Sequence, residues 1–129
     1  MAEIYEKSKP AHRNEDLPEE IIICGERYST SLTELDLSGK GLCDKDIVPL
    51  MYMTDLTGLS LFESKITDIA PLAQLTNLTN LDLSRNKITD ITPLSQLTKL
   101  TELNLEKNKI KNWSPVAHIK DVKGRPESK

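Results

Sequence analysis

Residues 78–98 read LTNLDLSRNKITDITPLSQLT, and their pattern of apolar residues recurs every 22 positions along the chain. The repeated phrase is Leu-Thr-x-Leu-x-Leu, which opens at Leu56, Leu78 and Leu100. The same register continues through an isoleucine, a proline and one more apolar residue before the phrase returns. A fixed period in the range of about 20–29 residues, with this leucine spacing, is typical of a solenoid of stacked coils. The pattern therefore predicts a repeat protein with an extended surface for binding.

Each repeat is predicted to form one short strand and one tight return. The second and third leucines lie two positions apart, which is strand spacing, so both point to the same side. The return segment is too short for a long helix, and its proline excludes a central strand but suits the first turn of a helix. We expect Asp68 and Asp90 to cap these turns. Each circuit advances the chain by about 4.8 Å, so the strands must be parallel.

The chain divides into a lead, one repeat domain and a tail. Residues 1–20 lack apolar periodicity and are expected to form a flexible charged lead. A single domain is assigned to residues 21–126, with a β-hairpin cap at 21–31 and repeats at 32–55, 56–77, 78–99 and 100–120. Within the irregular first repeat, Asp44 and Asp46 are expected to N-cap a short helix. Residues 121–129 are polar and are assigned to a C-terminal tail.

The charge balance is mildly acidic and unevenly distributed. The 129 residues include 17 Lys and Arg against 20 Asp and Glu, which gives a net charge of -3. A protein that binds phosphate backbones usually carries a basic excess, so nucleic acid is not an expected partner. Residues 1–20 carry six acids against three bases, whereas residues 107–129 carry seven bases against two acids. We interpret both ends as solvated, and we expect a monomer, with weak head-to-tail self-association as the alternative.

No part of the sequence indicates insertion into a membrane. No window approaches the roughly 20 apolar residues of a membrane span, and residues 1–20 contain no apolar run of the kind found in signal peptides. The expected location is therefore the cytoplasm by default. It is the cell surface or the exterior if the chain is a fragment of a larger protein.

The sequence predicts no metal, no cofactor and no catalytic residue. Cys24 and Cys43 are 19 residues apart, and His12 and His118 lie near opposite ends. A metal site needs three or four converging ligands, which this set does not readily supply. We expect isolated thiols, with one disulfide as the alternative. No nucleophile–base pair or phosphate-binding glycine loop is present, so an enzyme is not expected.

Asparagine recurs where each strand ends. Asn86 and Asn108 lie three positions after Leu83 and Leu105. A buried amide at such a bend can satisfy backbone groups that would otherwise cost about 1–3 kcal/mol each. The two earlier repeats have Lys40 and Ser64 at this position, so the ladder is predicted to be incomplete at its N-terminal end.

These repeats resemble a known family. Residues 78–98 resemble the 22-residue leucine-rich repeat of bacterial internalins and of a eukaryotic phosphatase-regulatory subunit. The segment 113–118 resembles the closing segment of such arrays in surface proteins of Gram-positive gut bacteria. The resemblance covers roughly residues 21–126. It implies an α/β right-handed leucine-rich-repeat solenoid, with a short parallel sheet on its concave face, short 3₁₀ or α turns on its convex face and a hairpin cap. It also implies protein binding on the concave face and no catalytic activity.

The outward strand positions define a candidate binding surface. They hold Glu34, Asp36, Ser60, Phe62, Asn80, Asp82, Arg85, Glu102 and Asn104. Phe62 is the only phenylalanine and is a candidate anchor for a partner, with packing beside Ile66 as the alternative. Trp113, at the position of Ile69 and Ile91, is expected to close the last repeat.

The predicted function is a non-catalytic protein–protein interaction module whose partner is another, unidentified protein. The alternative is a structural spacer or capping domain within a larger protein, with no ligand of its own.

Overall fold

The structure, a computed structural model, describes residues 17–126. Most of the lead expected over residues 1–20, and the last three residues of the expected tail, lie outside the described residues. The strands are β1 (Glu20–Ile23), β2 (Glu26–Ser29), β3 (Glu34–Asp36), β4 (Gly58–Ser60), β5 (Asn80–Asp82), β6 (Glu102–Asn104) and β7 (Val122–Lys123). The helices are α1 (Asp44–Ile47) and four 3₁₀ helices, η1 (Val48–Tyr52), η2 (Ala70–Gln74), η3 (Thr92–Gln96) and η4 (Ser114–Val116).

The strands β3 to β7 form one parallel sheet in chain order, which confirms the predicted solenoid. The register pairs the central leucines of successive strands, Leu59 with Leu81 and Leu81 with Leu103. All three are at most 4% exposed. Apolar side chains from every coil join them in a single core, so each repeat buries its leucines against the next. None of the helices in residues 17–126 is long and apolar enough to cross a membrane.

Each coil returns through a short 3₁₀ helix that begins next to a proline. The N-cap residues of η2 and η3 are Ile69 and Ile91, and the aspartates expected to cap these turns, Asp68 and Asp90, lie one position earlier and bind the first turn. The Asp68 carboxylate accepts a hydrogen bond from the backbone nitrogen of Ala70 at 2.9 Å, and that of Asp90 accepts one from Thr92 at the same distance. These bonds satisfy N–H groups that the first turn of a helix leaves unpaired.

The first repeat departs from the expected capping. Cys43, not an aspartate, is the N-cap of α1, and the Asp46 carboxylate accepts from the Cys43 backbone nitrogen at 2.9 Å. The prediction that Asp44 is an N-cap is wrong. Its carboxylate instead reaches the next coil and accepts from the backbone nitrogens of Thr67 (2.7 Å) and Asp68 (3.0 Å). Partial burial raises the pKa of Asp44, but these bonds and that from the Thr67 hydroxyl leave the pKa below its ordinary value.

The N-terminal hairpin covers the first coil, as predicted. Strands β1 and β2 pair antiparallel, and Cys24 and Gly25 at the turn both have positive φ, 51° and 83°. Two successive positive φ values are characteristic of a type I′ turn, whose twist matches that of the strands it joins. Ile21 and Ile23 are buried in the core. Both cysteines are free thiols, Cys24 exposed and Cys43 partly buried.

The C-terminal residues contradict the assignment of a tail at 121–129. Val122 and Lys123 form β7, in which Val122 pairs with Leu103 only 19 positions earlier. Because this interval is shorter than 22 residues, the repeat pattern could not reveal the strand. The Arg125 guanidinium donates to the carbonyl oxygens of Val116 (3.2 Å) and Ile119 (3.0 Å), and so caps the last turn.

The amide of Asn86 joins two coils at the end of β5. Its Nδ2 donates to the carbonyl oxygens of Leu61 (2.9 Å) and Leu83 (3.0 Å), and its Oδ1 accepts from the backbone nitrogen of Ile66 (3.1 Å). Asn108 makes the equivalent contacts one coil later. In the coil before, the Ser64 hydroxyl accepts from the Leu42 backbone nitrogen at 3.1 Å. A hydroxyl has one proton, so Ser64 can replace the acceptor of an amide but not both of its donors.

We expect Asn86→Ala to lower the free energy of unfolding by at least about 2 kcal/mol, because it leaves buried N–H and C=O groups without partners. Urea denaturation followed by circular dichroism measures this change. Ser64→Ala, which removes one acceptor only, is the matched control and should cost less. Equal losses for the two variants would contradict the role given to the amide.

Gly124 is expected to tolerate no side chain. Its φ is +97°, and a Cβ built on it would lie 2.8 Å from the backbone nitrogen of Glu106. Gly124→Ala should therefore destabilise the domain by about 1–3 kcal/mol and detach β7. Gly41→Ala is the control, since Gly41 has a φ of +64° but open space around it, and it should cost about 1 kcal/mol. Hydrogen exchange at Leu105, whose backbone nitrogen donates to Lys123, would report the loss of β7. Protection there equal to that of the Gly41 variant would refute the steric argument.

Candidate functional site

The concave face of the solenoid is a groove of about 730 Å³ that crosses all five parallel strands. Its lining residues are Glu34, Leu35, Asp36, Gly58, Leu59, Ser60, Asn80, Leu81, Asp82, Glu102, Leu103, Asn104, Asp121 and Lys123. Because side chains alternate along a strand, the central leucine of each of the strands β3 to β6 points into the core and its two neighbours point outward. The groove therefore carries two rows of outward residues across a leucine floor.

Strand pairing sets the order within each row. The first row contains Glu34, Gly58, Asn80 and Glu102, which pair in sequence across β3 to β6. The second row contains Asp36, Ser60, Asp82 and Asn104, paired in the same way. The parallel register thus brings together seven of the nine residues that the sequence proposed as binding residues. Adjacent members of a row are about one strand spacing apart, close to 4.8 Å.

Two residues of the groove were not found by the sequence analysis. Asp121 and Lys123 belong to the segment that had been assigned to the tail, and they extend the groove by one strand. The alternation of Asp121, Val122 and Lys123 was the available signal, because it repeats the outward–inward–outward order of the other strands.

Phe62 and Arg85 lie outside the groove lining. Phe62 follows the end of β4 and is half-buried, whereas Arg85 is exposed. Arg85 occupies a left-handed turn, with a φ of 59°, which recurs at Gly39, Glu63 and Lys107 with φ values of 60° to 70°. This turn carries the chain out of the sheet, so its side chains stand at the rim. The proposed binding residues thus separate into seven in the groove and two at the rim.

The second row also shapes the backbone. The Asp36 carboxylate accepts a hydrogen bond from the backbone nitrogen of Ser38 at 2.9 Å, and Asp82 and Asn104 bind the nitrogens two positions later at 3.0 Å each. The Ser60 hydroxyl makes a longer contact of 3.4 Å with Phe62. Such turns are favoured by Asp, Asn and Ser. Their recurrence every 22 to 24 positions is the signal in the sequence for this role in the turns, in addition to the predicted role at the surface.

The turn at Asp36 affects its ionisation. Hydrogen bonds from the Ser38 side chain and backbone stabilise the carboxylate and hold the pKa of Asp36 below its ordinary value. Asp36 is exposed, so the surrounding water weakens this effect on stability. At neutral pH the groove therefore presents an ionised carboxylate at this position.

Trp113 lies at the opposite side of the last coil from the groove. It is half-buried against the core, and its carbonyl oxygen accepts from the backbone nitrogen of Val116 at 3.1 Å at the start of η4. No histidine or cysteine of the described residues lines the groove. Carboxylates, amides and one ammonium group are suited to recognising a partner through hydrogen bonds and charge.

Comparison with known proteins agrees with the geometry. The family described as leucine-rich repeats (two copies) matches residues 54–96 and 76–118. The internalin InlF of Listeria monocytogenes is 35% identical, with a TM-score of 0.69 over 77% of this chain and 31% of its own length. The internalin InlJ of the same species is 34% identical, with a TM-score of 0.59 over 74% of this chain and 22% of its own. A leucine-rich repeat protein of Leptospira interrogans is 27% identical, with a TM-score of 0.65 over 74% and 26%. No curated protein sequence matches the chain.

We expect Asp36→Asn to weaken the acid sensitivity of the fold. The pKa of Asp36 is lower in the folded than in the unfolded chain, so its stabilising contribution is complete above about pH 4 and is lost as the pH falls through the folded value. Asn104 shows that an asparagine at this position holds the same turn.

The difference in melting temperature between about pH 7 and about pH 3 should therefore be slightly smaller for Asp36→Asn than for the unchanged protein. Asp36→Ala, which loses the turn, should melt lower at neutral pH. An unchanged pH dependence in Asp36→Asn would show that Asp36 makes no such contribution.

Proposed function

Because this chain belongs to the leucine-rich repeat family, we propose that the concave groove of its solenoid binds another protein. Stacked repeats form curved surfaces, and proteins of this architecture use the concave side for binding. The family match and the likeness to internalins support a protein-interaction module in general. The chain spans less than a third of InlF, so the proposal concerns this segment alone.

One observation carries the proposal: the register of the sheet brings the outward, mostly polar positions of five strands together in one groove. The positions between them are leucines buried in the core in β3 to β6, and a partly buried valine in β7. The sequence at the outward positions is thus free of the demands of packing and can be matched to a partner. Leucine in the core and diverse polar residues at the surface are what a binding scaffold requires.

The groove is also held rigidly. The turns at Asp36, Asp82 and Asn104 fix the strand ends, and the amides of Asn86 and Asn108 join adjacent coils. A surface that is already ordered loses little conformational entropy when it binds. The low entropic cost of binding to such an ordered groove supports the proposal that a small surface can recognise a partner.

The size of the groove limits the contact it can make. Five strands about 4.8 Å apart give a face roughly 20 Å wide, and a typical stable interface needs about 800 Å² on each partner. We propose that the rim residues Phe62 and Arg85 add to the contact. Both follow strand ends that border the groove.

The test places a bulky, uncharged side chain in the middle of the groove. Asn80 is exposed and central in the first row, and its side chain makes no hydrogen bond within the described residues, so Asn80→Tyr should block the groove without disturbing the fold. Gln74→Tyr makes a similar change at an exposed position of η2 on the convex side.

Affinity capture from cells that express the protein, followed by mass spectrometry, should recover a protein that is retained by the unchanged chain and by Gln74→Tyr but lost with Asn80→Tyr. Circular dichroism should show that both variants fold. Retention by all three would place the interaction elsewhere. Recovery of no protein in repeated captures would favour a spacer without a ligand.

A further inference from the structure

The groove concentrates the negative charge of the protein. Its carboxylates are those of Glu34, Asp36, Asp82, Glu102 and Asp121, and its only cationic side chain is that of Lys123. The groove therefore has a formal charge of -4, whereas the whole chain has -3, so all remaining residues together carry +1. The groove is therefore more acidic than the remainder of the chain taken as a whole.

Three of these carboxylates form no contact that stabilises the fold. The side chains of Glu34, Glu102 and Asp121 form neither a hydrogen bond nor an ion pair with any residue in the described range, unlike those of Asp36 and Asp82. Leu103 pairs with Val122, so Glu102 and Asp121, one position earlier on each chain segment, lie side by side and repel one another within the screening length of about 8 Å at physiological salt. The fold gains nothing from this arrangement, whereas a cationic partner would relieve it.

The glycine in β4 lets the Glu34 carboxylate lie over the neighbouring strand. Gly58 stands between Glu34 and Asn80 in the first row and has no side chain. A Cβ built on Gly58 would lie 3.3 Å from the carboxyl carbon of Glu34. The Glu34 carboxylate thus leans over β4 into the space beside the centre of the groove. Gly58 and Ser60 contribute less side-chain volume to the groove than the outward residues of β3, β5 and β6.

We propose that the partner of the groove is a basic segment of another protein, rich in lysine or arginine, whose cations contact Glu34, Glu102 and Asp121. This inference rests on the proposed function of the groove and adds the chemistry of its partner. Cations of lysine and arginine form strong hydrogen bonds with carboxylates, and complementary charge speeds encounter and selects the partner. Phosphate-rich or acidic ligands would be repelled by the same field.

The first measurement uses two synthetic peptides of about twelve residues, one alternating lysine with serine and one alternating glutamate with serine. Titration followed by fluorescence anisotropy should show binding of the lysine peptide only. Its Kd should rise at least about tenfold between roughly 50 mM and 500 mM sodium chloride, since exposed charges are screened by salt. Binding that is independent of salt, or that favours the glutamate peptide, would overturn the proposal.

Two triple variants test whether binding depends on charge within the groove or only on the net charge of the protein. Glu34→Gln, Glu102→Gln and Asp121→Asn together reduce the formal charge of the groove from -4 to -1. Glu19→Gln, Glu20→Gln and Glu26→Gln together neutralise three exposed acids at the N-terminal hairpin, away from the groove and its rim, and produce the same net charge. The groove variant should raise the Kd of the lysine peptide at least about tenfold, and the control should change it less than about threefold. Equal effects would show non-specific attraction and refute the inference.

The same variants distinguish failure of this inference from failure of the proposed function. A captured protein that is lost with Asn80→Tyr but kept by the groove triple variant would leave the groove as the binding site and exclude a basic partner. A captured protein that is kept by both would exclude the groove as the site. Loss with both variants and retention by the control triple variant is the expected result.

Discussion

The structure depends on leucines of successive coils stacking in register. Leu59, Leu81 and Leu103 sit on top of one another, and a one-residue slip of any strand would turn its leucines toward water. This penalty fixes the pairing of the strands. Because the pairing also sets which outward residues lie side by side, the packing of the core determines the composition of the groove.

Polar side chains form hydrogen bonds with the backbone groups that the tight coils leave unpaired. Each coil leaves the sheet and returns to it within 19 to 24 residues, and each bend removes backbone groups from the hydrogen-bond ladder of the sheet. Asn86 and Asn108 each bind backbone groups of the bend that follows the strand, both in their own coil and in the coil before it. Asp68 and Asp90 bind backbone N–H groups at the start of the 3₁₀ helices. The recurring polar residues are therefore as much a part of the fold as the leucines.

The first and the last coil of the array each have to be covered, and they are covered by different structures. A hairpin buries Ile21 and Ile23 against the first coil, whereas the last coil is covered by β7 and held by the guanidinium of Arg125. Between these ends, the outward strand positions carry no packing role, and there the acidic residues collect. This division of tasks supports the proposal that the groove binds a basic segment of another protein.

By itself, the sequence determined the solenoid, its parallel strands, the hairpin cap and seven of the groove residues, because a strict period of apolar residues admits only one register of stacked coils. Only the tertiary structure decided the positions of Asp44, β7 and Arg125. Each of them makes contacts with residues that are not its neighbours in the chain, and none occupies a position of the 22-residue repeat pattern that the sequence could identify. It also decided that Phe62 and Arg85 stand at the rim and that Asp36 and Asp82 hold turns. A repeat pattern predicts which side chains are buried together in the core. The structure of the two ends of the array depends on distances in three dimensions. So does the question of which polar side chains bind the backbone and which remain available at the surface.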